Sequence, residues 1–119
     1  MPVNTTAFGA AGERAAEKYL KKRGAKVLAR NFRCPFGEID LIVKLDGRIC
    51  FVEVKARSSE SHGRPAFAVD REKRARIIKS AAWYLKGRGL SEAPIRFDVV
   101  EISPQGLRHI PAAFPGDIF

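Results

Sequence analysis

The 119-residue chain carries 22 Lys and Arg residues against 13 Asp and Glu residues, a formal net charge of +9. Its 45% hydrophobic content suits one globular domain spanning residues 1–119, and no segment reaches the roughly 20 apolar residues of a membrane span. The charge predicts a polyanionic partner such as nucleic acid and disfavours a membrane partner, with a merely solvated basic surface as the alternative.

The sequence also bears on the cellular compartment of the protein and on the chemistry of its two cysteines. The N-terminal residues lack the charged stretch followed by an apolar run that marks a secretory signal, so we expect a cytoplasmic protein. Cys34 and Cys50 form no CxxC pair, and His62 and His109 do not complete a zinc spacing with them. We interpret both cysteines as packing residues, and the sequence does not favour a thiol-based catalyst.

The first predicted element is a helix over residues 10–23, a run of good helix formers that Gly24 would end as a C-terminal cap. Glu13 borders its expected inward stripe. The members of that stripe are Gly12, Ala15, Ala16, Tyr19 and Leu20. A short strand is predicted over residues 27–32, before the turn at Cys34 and Pro35.

Two strong strands follow, GEIDLIVKL at residues 37–45 and RICFVEVKA at residues 48–56. Asp46-Gly47 between them predicts a two-residue hairpin turn of type I′, which requires positive φ at both positions. In that register Leu45 faces Arg48.

The second half begins with a polar loop over residues 57–69, after which Asp70 would cap a helix over residues 71–86. The apolar residues assigned to this helix are Ile77, Ile78, Ala81, Ala82, Trp83 and Leu85. Strands are predicted over residues 95–102 and 107–110. The order of elements predicts an α/β domain with a mixed sheet flanked by helices.

The hairpin register places Asp40 directly opposite Glu53, and Glu38 directly opposite Lys55. Directly paired residues project to one face of a sheet, so these four side chains should form a polar square. The opposite face should be a plain core face. It would pair Ile39 with Val54, Leu41 with Val52, and Val43 with Cys50.

Two opposed carboxylates with Cβ atoms about 5 Å apart repel each other and destabilise a sheet. A shared proton, a neighbouring cation or a bound metal could offset the repulsion of Asp40 and Glu53. Mg²⁺, or Mn²⁺, suits such a pair, because it commonly takes one or two carboxylates and completes its shell with water and phosphate. Lys55 could then hold a water or neutralise charge on a phosphate. A surface ladder of ion pairs is the alternative interpretation.

These residues also carry a resemblance. GEIDLIV followed after a hairpin by FVEVKAR, with Glu13 on a preceding helix, resembles the PD-(D/E)XK nuclease superfamily, and in detail the YraN-like family of small bacterial proteins related to archaeal Holliday-junction resolvases. The resemblance implies a restriction-endonuclease-like fold with an αβββαβ core. It implies that Asp40 and Glu53 bind the metal, that Lys55 is catalytic, that Glu13 assists, and that Asp98 in RFDVV is a peripheral member of the site. No Pro precedes Asp40, and the second helix offers Lys73 and Arg76 in place of the glutamine of some relatives.

The leading hypothesis is a metal-dependent nuclease that acts on DNA, in preference to RNA, and on branched or otherwise structured DNA. The residues expected to contact its phosphates are Arg57, Arg64, Arg71, Lys73 and Arg76. A non-catalytic nucleic-acid-binding adaptor is the second hypothesis. A partner-binding structural protein is the third, because the apolar tail at residues 109–119 could dock on a second copy in a homodimer or fold back over its own core.

Overall fold

The computed structural model describes the backbone of residues 3–56 and 71–116, and the side chains of those ranges from Gly9 onward. The elements in chain order are α1 (Val3–Lys22), β1 (Lys26–Cys34), β2 (Gly37–Leu45), β3 (Arg48–Ala56), α2 (Arg71–Gly87), β4 (Ile95–Ser103) and β5 (Gly106–Ile110). The strands form one sheet in the order β1-β2-β3-β4-β5, in which β3 and β4 are parallel and the other neighbours antiparallel. The predicted α/β architecture with a mixed sheet is confirmed. The predicted loop 57–69 and the Asp70 cap lie outside the described residues.

The helix α1 begins at Val3, earlier than the predicted start at residue 10. The stretch before residue 10 contains Thr and Gly, whose low intrinsic helix propensity did not predict a helix there. The predicted end is confirmed, because Gly24 adopts φ +98° and its amide donates to the Lys21 carbonyl at 3.0 Å. Ala15 is exposed and so does not belong to the inward stripe. No helix in the described part of the chain is long and apolar enough to cross a membrane.

The hairpin between β2 and β3 has the predicted turn, with φ +56° at Asp46 and +74° at Gly47. Its register runs as predicted from Leu45–Arg48 to Leu41–Val52. The predicted backbone pairs Asp40–Glu53 and Glu38–Lys55 do not form. Instead, the Asp40 carboxylate accepts the Val54 amide at 2.7 Å, and β2 continues as the partner of β1 alone. The two strands therefore part at Asp40.

Each face of the sheet packs against one helix. The cluster on the α2 side is Ile39, Ile42, Ile49, Phe51, Ile77, Ala81, Tyr84, Leu85, Phe97, Val99 and Phe114. The cluster on the α1 side is Ala16, Leu20, Leu41, Val43, Leu45, Cys50, Val52 and Val100. Ile39 was predicted to share a face with Leu41 and Val43, and this is wrong: it packs on the α2 side. The alternation of β2 is interrupted where β2 parts from β3.

A buried carboxylate, Asp98, ties β4 to β5 and to the segment that follows. Its oxygens accept bonds from Arg96 Nε and Nη2 at 2.9 Å, lie 2.9 Å from His109 Nε2, and accept the Ala112 amide at 3.1 Å. Burial opposes ionisation, but the bonds from His109 and Arg96 lower the pKa of Asp98 below its usual value. Asp98 stands beside Val52 on the α1 side of the sheet. It is therefore not a peripheral member of a site around Asp40 and Glu53.

The described part of the C-terminal tail folds back over its own core. The Ala113 amide donates to the Phe97 carbonyl at 2.8 Å, and the Phe114 ring stacks on Phe97 with centroids 5.1 Å apart. Phe114 is only 5% exposed. Of the two alternatives for this tail, docking on a second copy is thus disfavoured up to residue 116.

The Asp98 network generates a stability prediction. Asp98→Asn should lower the free energy of unfolding by about 3–5 kcal/mol, because it leaves Arg96 buried without its counter-charge. Asp46→Asn is the matched control: Asp46 lies 3.6 Å from the same guanidinium, but its side chain is 63% exposed. That control should change stability by less than about 1 kcal/mol. Urea denaturation monitored by circular dichroism measures both, and equal small effects would contradict a stabilising role for the network.

Candidate metal and nuclease site

A pocket of about 210 Å³ opens on the α2 side of the sheet, at the place where β2 parts from β3. The strands contribute its acidic wall and α2 contributes its basic wall. Its lining residues are Gly37, Glu38, Asp40, Glu53, Lys73, Arg76 and Ile77. The strand separation that the Asp40–Val54 bond produces is what leaves room for this pocket between the sheet and α2.

Glu53 projects into the pocket from β3, because it follows Phe51 at the period of two that places strand residues on one face. Its side chain is 9% exposed and lies 2.5 Å from Lys73 Nζ. Burial opposes protonation of Lys73, but the bond to Glu53 raises the pKa of the Lys73 ammonium overall. One carboxylate of the pair is thus already neutralised by a cation from α2.

Asp40 experiences the opposite balance. Burial and repulsion from Glu53 raise the pKa of the Asp40 carboxyl to about 7, against the opposing effect of the Val54 amide. The charges of Glu13 and Lys73 act on Asp40 more weakly, the first raising and the second lowering its pKa. The neighbouring Lys73 therefore does not compensate Asp40, and a second positive charge would be stabilised beside it.

Glu13 reaches this neighbourhood because α1 lies close to the end of β3. A Cβ added to Gly12 would lie 3.3 Å from Ala56 Cβ, so a glycine permits this approach. Glu13 itself is half-buried, as its predicted position at the border of the inward stripe implied. It acts on Asp40 through charge but is not among the described residues that line the pocket.

Lys55 lies on β3, two residues beyond Glu53, and is half-buried. The parallel register places it beside Glu101 of β4. Strand alternation puts it on the same face as Glu53, although it too is not among the described residues lining the pocket. Of the predicted polar square, the pocket therefore brings together Glu38, Asp40 and Glu53.

The expected phosphate-contacting residues fall into three groups. Arg57 and Arg64 lie outside the described residues. Arg71 and Arg76 are exposed on α2, and Arg76 also lines the pocket. Lys73 was expected to contact phosphate, but it instead binds Glu53 inside the pocket. Its position four residues before buried Ile77 places it beside the inward stripe of α2, which is the sequence signal for its contact with the sheet.

The donor set fits a hard divalent cation. Carboxylate oxygens are the ligands that Mg²⁺ prefers, and one or two of them suffice when water and phosphate fill the remaining positions. Within residues 3–56 and 71–116 no three Asp, Glu, His or Cys side chains converge into a ligand set. The fit consequently rests on two carboxylates, Asp40 and Glu53, of which the second must exchange Lys73 for the metal.

Comparisons with known proteins agree with this fold. The model of a family described as "Uncharacterised protein family UPF0102" matches residues 12–102. A UPF0102 protein of Desulfosudis oleivorans is 48% identical over 93 residues, 78% of this chain and 76% of that protein. A UPF0102 protein of Clostridioides difficile is 42% identical over 114 residues, 94% of this chain and all of that protein.

Among solved structures, that of SSO0001 superposes with a TM-score of 0.51 at 18% identity. The match covers 96% of this chain, which spans only 54% of the SSO0001 chain. At that identity the likeness concerns the fold alone. The expected restriction-endonuclease-like class of the α/β fold is confirmed.

The raised pKa of Asp40 predicts a specific pH dependence. The folded protein holds the Asp40 proton up to about pH 7, whereas the unfolded chain releases it near pH 3.8. Stability from this group is therefore complete below about pH 4 and is lost as the pH rises towards 7. The unfolding free energy of the wild type relative to Asp40→Asn should fall by up to about 1.4 kcal/mol per pH unit in that window.

Urea denaturation of both proteins from pH 4 to pH 8 measures the difference, in which the titrating groups that do not interact with Asp40 cancel. A difference that is constant with pH would show that Asp40 ionises at its ordinary value.

Proposed function

The chain belongs to the UPF0102 family, and we propose that it is a metal-dependent nuclease that hydrolyses phosphodiester bonds in DNA, branched or otherwise structured. The observation that carries the proposal is a pair of carboxylates in one pocket, the buried Glu53 and the half-buried Asp40, with Glu53 bound by Lys73 and the pKa of Asp40 raised to about 7. Two carboxylates in such surroundings lower the free energy of unfolding. Residues with strongly shifted pKa values cluster at functional sites.

Asp40 and Glu53 would hold Mg²⁺ or Mn²⁺. When bound, the metal would polarise the phosphoryl oxygen and lower the pKa of a bound water. The Val54 amide fixes the Asp40 carboxylate by its bond to Oδ2, and Asp40 lines the pocket. Ile77 lines the pocket beside the pair, and the burial of Glu53 strengthens charge interactions there.

Lys55 would neutralise the charge that develops on the phosphate, or position the attacking water by hydrogen bonding. It lies on strand β3, two residues from Glu53. A rigid strand would hold Lys55 at a fixed distance from the metal ligands. Glu13 would orient a ligand from the α1 side, where its charge already reaches Asp40.

Lys73 would have a separate role. Its ammonium neutralises the Glu53 carboxylate, so it would stabilise the pocket in the absence of a metal. Lys73 lines the pocket and would bind a phosphate there once a metal neutralised Glu53 in its place. The exposed Arg71 and Arg76 on the same helix would continue the cationic path along the DNA backbone.

The Lys73–Glu53 ion pair also favours the second candidate function, a nucleic-acid-binding adaptor that cuts nothing. If the ion pair persisted in the presence of divalent metal, the acidic wall would be permanently neutralised and the fold would only bind. The catalytic and adaptor functions are separated by the cleavage experiment that follows.

Cleavage of a labelled four-way junction should require Mg²⁺ or Mn²⁺ and should fail in two variants for different reasons. Lys55→Ala should lower the cleavage rate about 100- to 1000-fold while metal binding is retained, because both ligands remain. Asp40→Asn should weaken metal binding itself, as calorimetry would measure. Asp46→Asn, at the far end of the hairpin, should cut at the wild-type rate. A wild type that binds junctions but cuts neither these nor single-stranded or duplex DNA with any divalent metal would favour the adaptor.

The proposed DNA contacts predict a salt dependence. The logarithm of the binding constant should fall linearly with the logarithm of salt concentration, with a slope of about −0.9 per neutralised phosphate. Arg71→Glu and Arg76→Glu should each make that slope shallower by about 1 or more. Lys22→Glu, on α1 at the opposite face, is the charge-matched control and should leave it unchanged. Binding that does not change with salt would contradict a phosphate interface.

A further inference from the structure

An aromatic pair on the surface stands beside the candidate site. Phe36 and Trp83 are 41% and 50% exposed, and they are the large hydrophobic side chains that the described part of the chain leaves in solvent. Their ring centroids lie 5.8 Å apart at an interplanar angle of 70°. A T-shaped contact covers at most one ring face, so the pair leaves aromatic ring surface open to solvent. Trp83 had been assigned from sequence to the apolar residues of its helix.

Both rings are held by well-packed elements. Phe36 occupies the turn between β1 and β2, which the Cys34–Gly37 pair closes. Gly37 has φ +149° and rests on α2, where an added Cβ would lie 3.6 Å from Ser80 Oγ and 3.7 Å from Arg76 Cβ. This contact fixes the turn against the helix that carries Trp83. The pair is therefore a preorganised surface, not two independent side chains.

The aromatic pair is continuous with the pocket. Gly37, next to Phe36, and Arg76 both line the pocket. Arg76, Lys79 and Trp83 follow the spacing that places residues on one side of a helix, and all three are exposed. At 1.5 Å per residue, Trp83 lies about 10 Å along α2 from Arg76. That is roughly three steps of 3.4 Å along a nucleic-acid strand.

The surroundings of the pair are cationic. Arg33 lies on β1 beside the turn, and its side chain is 79% exposed. Its Nε forms an ion pair with Glu38 Oε1 at 3.6 Å. Arg76 and Lys79 add two exposed positive charges on α2. A second copy of the same patch would bring like charges together, which disfavours a symmetric dimer through this surface. Aromatic faces surrounded by cations suit bases that carry phosphates.

We propose that Phe36 and Trp83 form a stacking platform for an unpaired base of the nucleic-acid strand whose phosphate enters the Asp40–Glu53 pocket. The inference rests on the proposed function in taking nucleic acid as the substrate, and it specifies the class: a strand with unpaired nucleotides, at a single-stranded region or a branch. A base inside a continuous duplex cannot present its face to the platform, whereas an unstacked base can.

Trp83 is the single tryptophan of the chain, so its fluorescence reports on the platform directly. Oligodeoxyuridylate titrated into the protein at low salt, without divalent metal, should quench this fluorescence, and oligouridylate, which has the same base on a ribose, tests in a parallel titration whether the sugar matters. A duplex of equal length should bind without comparable quenching. Quenching by one oligomer alone would assign the platform to that sugar type, and quenching by both would assign it to unpaired bases in general.

Variants test the energetic role of the rings by anisotropy of a labelled oligomer. Trp83→Leu and Phe36→Leu should each lose at least about fivefold in affinity for the single strand, with duplex affinity unchanged. Trp83→Phe, which keeps an aromatic ring, should lose less than Trp83→Leu. Lys22→Ala is the control for loss of one distant charge and should bind as the wild type does. Thermal unfolding shows whether each variant is folded. Both rings are about half exposed, so we expect the substitutions to be tolerated. If Trp83→Leu does not fold, Trp83→Phe provides the second test.

The outcomes separate this proposal from the proposed nuclease. Quenching and selective loss of single-strand affinity, in a protein that never cuts, would support the platform and refute catalysis. Metal-dependent cleavage with no quenching, and with leucine variants that bind and cut as the wild type does, would refute the platform and leave catalysis standing. Failure to bind any single strand at low salt would also overturn the platform, as would a concentration-dependent dimer that Trp83→Leu dissociates.

Discussion

The Asp40 carboxylate accepts the Val54 amide at the point where β2 leaves β3, and the arrangement of the site depends on this bond. A side-chain oxygen takes the place that a strand carbonyl would fill, so the buried amide stays satisfied while the two strands separate. The separation opens the pocket, and the bond also fixes the direction of Asp40 within it. The cost appears in the same residue, because burial and the nearby Glu53 both oppose its ionisation.

The two helices approach this point from opposite faces and supply charges of opposite sign. From the α1 side, the close contact of Gly12 with Ala56 brings the half-buried Glu13 within electrostatic reach of Asp40. From the α2 side, Lys73 neutralises Glu53, and Arg76 lies at the pocket wall. The Asp98 network stands apart on the α1 side and secures β5 and the tail. Stability and the proposed chemistry are thus carried by different carboxylates, Asp98 for the first and the Asp40–Glu53 pair for the second.

The sequence predicted what depends on local turn chemistry and on strand alternation. Asp46-Gly47 predicted the hairpin turn and its register as far as Leu41–Val52, and alternation placed Asp40 and Glu53 on a common face. It could not predict that a carboxylate would replace a backbone partner, because that choice depends on how the sheet twists between two helices. The predicted face of Ile39 was wrong for the same reason, because this residue packs on the α2 side.

The contacts of α2 were harder to predict, since helix residues near the border of the inward stripe can face either way. Lys73 was expected to contact phosphate and binds Glu53, whereas Trp83 was assigned to the apolar residues of the helix and lies half in solvent. Both depend on the way the β1–β2 turn packs on the helix through Gly37. Asp98 was associated with the site by its motif. Of its partners, Arg96 belongs to that motif, whereas His109 and Ala112 come from a part of the chain that the motif does not include.

The central claim is that Asp40 and Glu53 form a divalent-metal site from which Lys73 is displaced. Anomalous diffraction at the manganese edge, from crystals grown with saturating Mn²⁺, tests it most directly. The account predicts one manganese peak within ligand distance of carboxylate oxygens of both Asp40 and Glu53, with the Lys73 ammonium moved off Glu53. A structure in which Lys73 still binds Glu53, with no manganese beside Asp40, would contradict it.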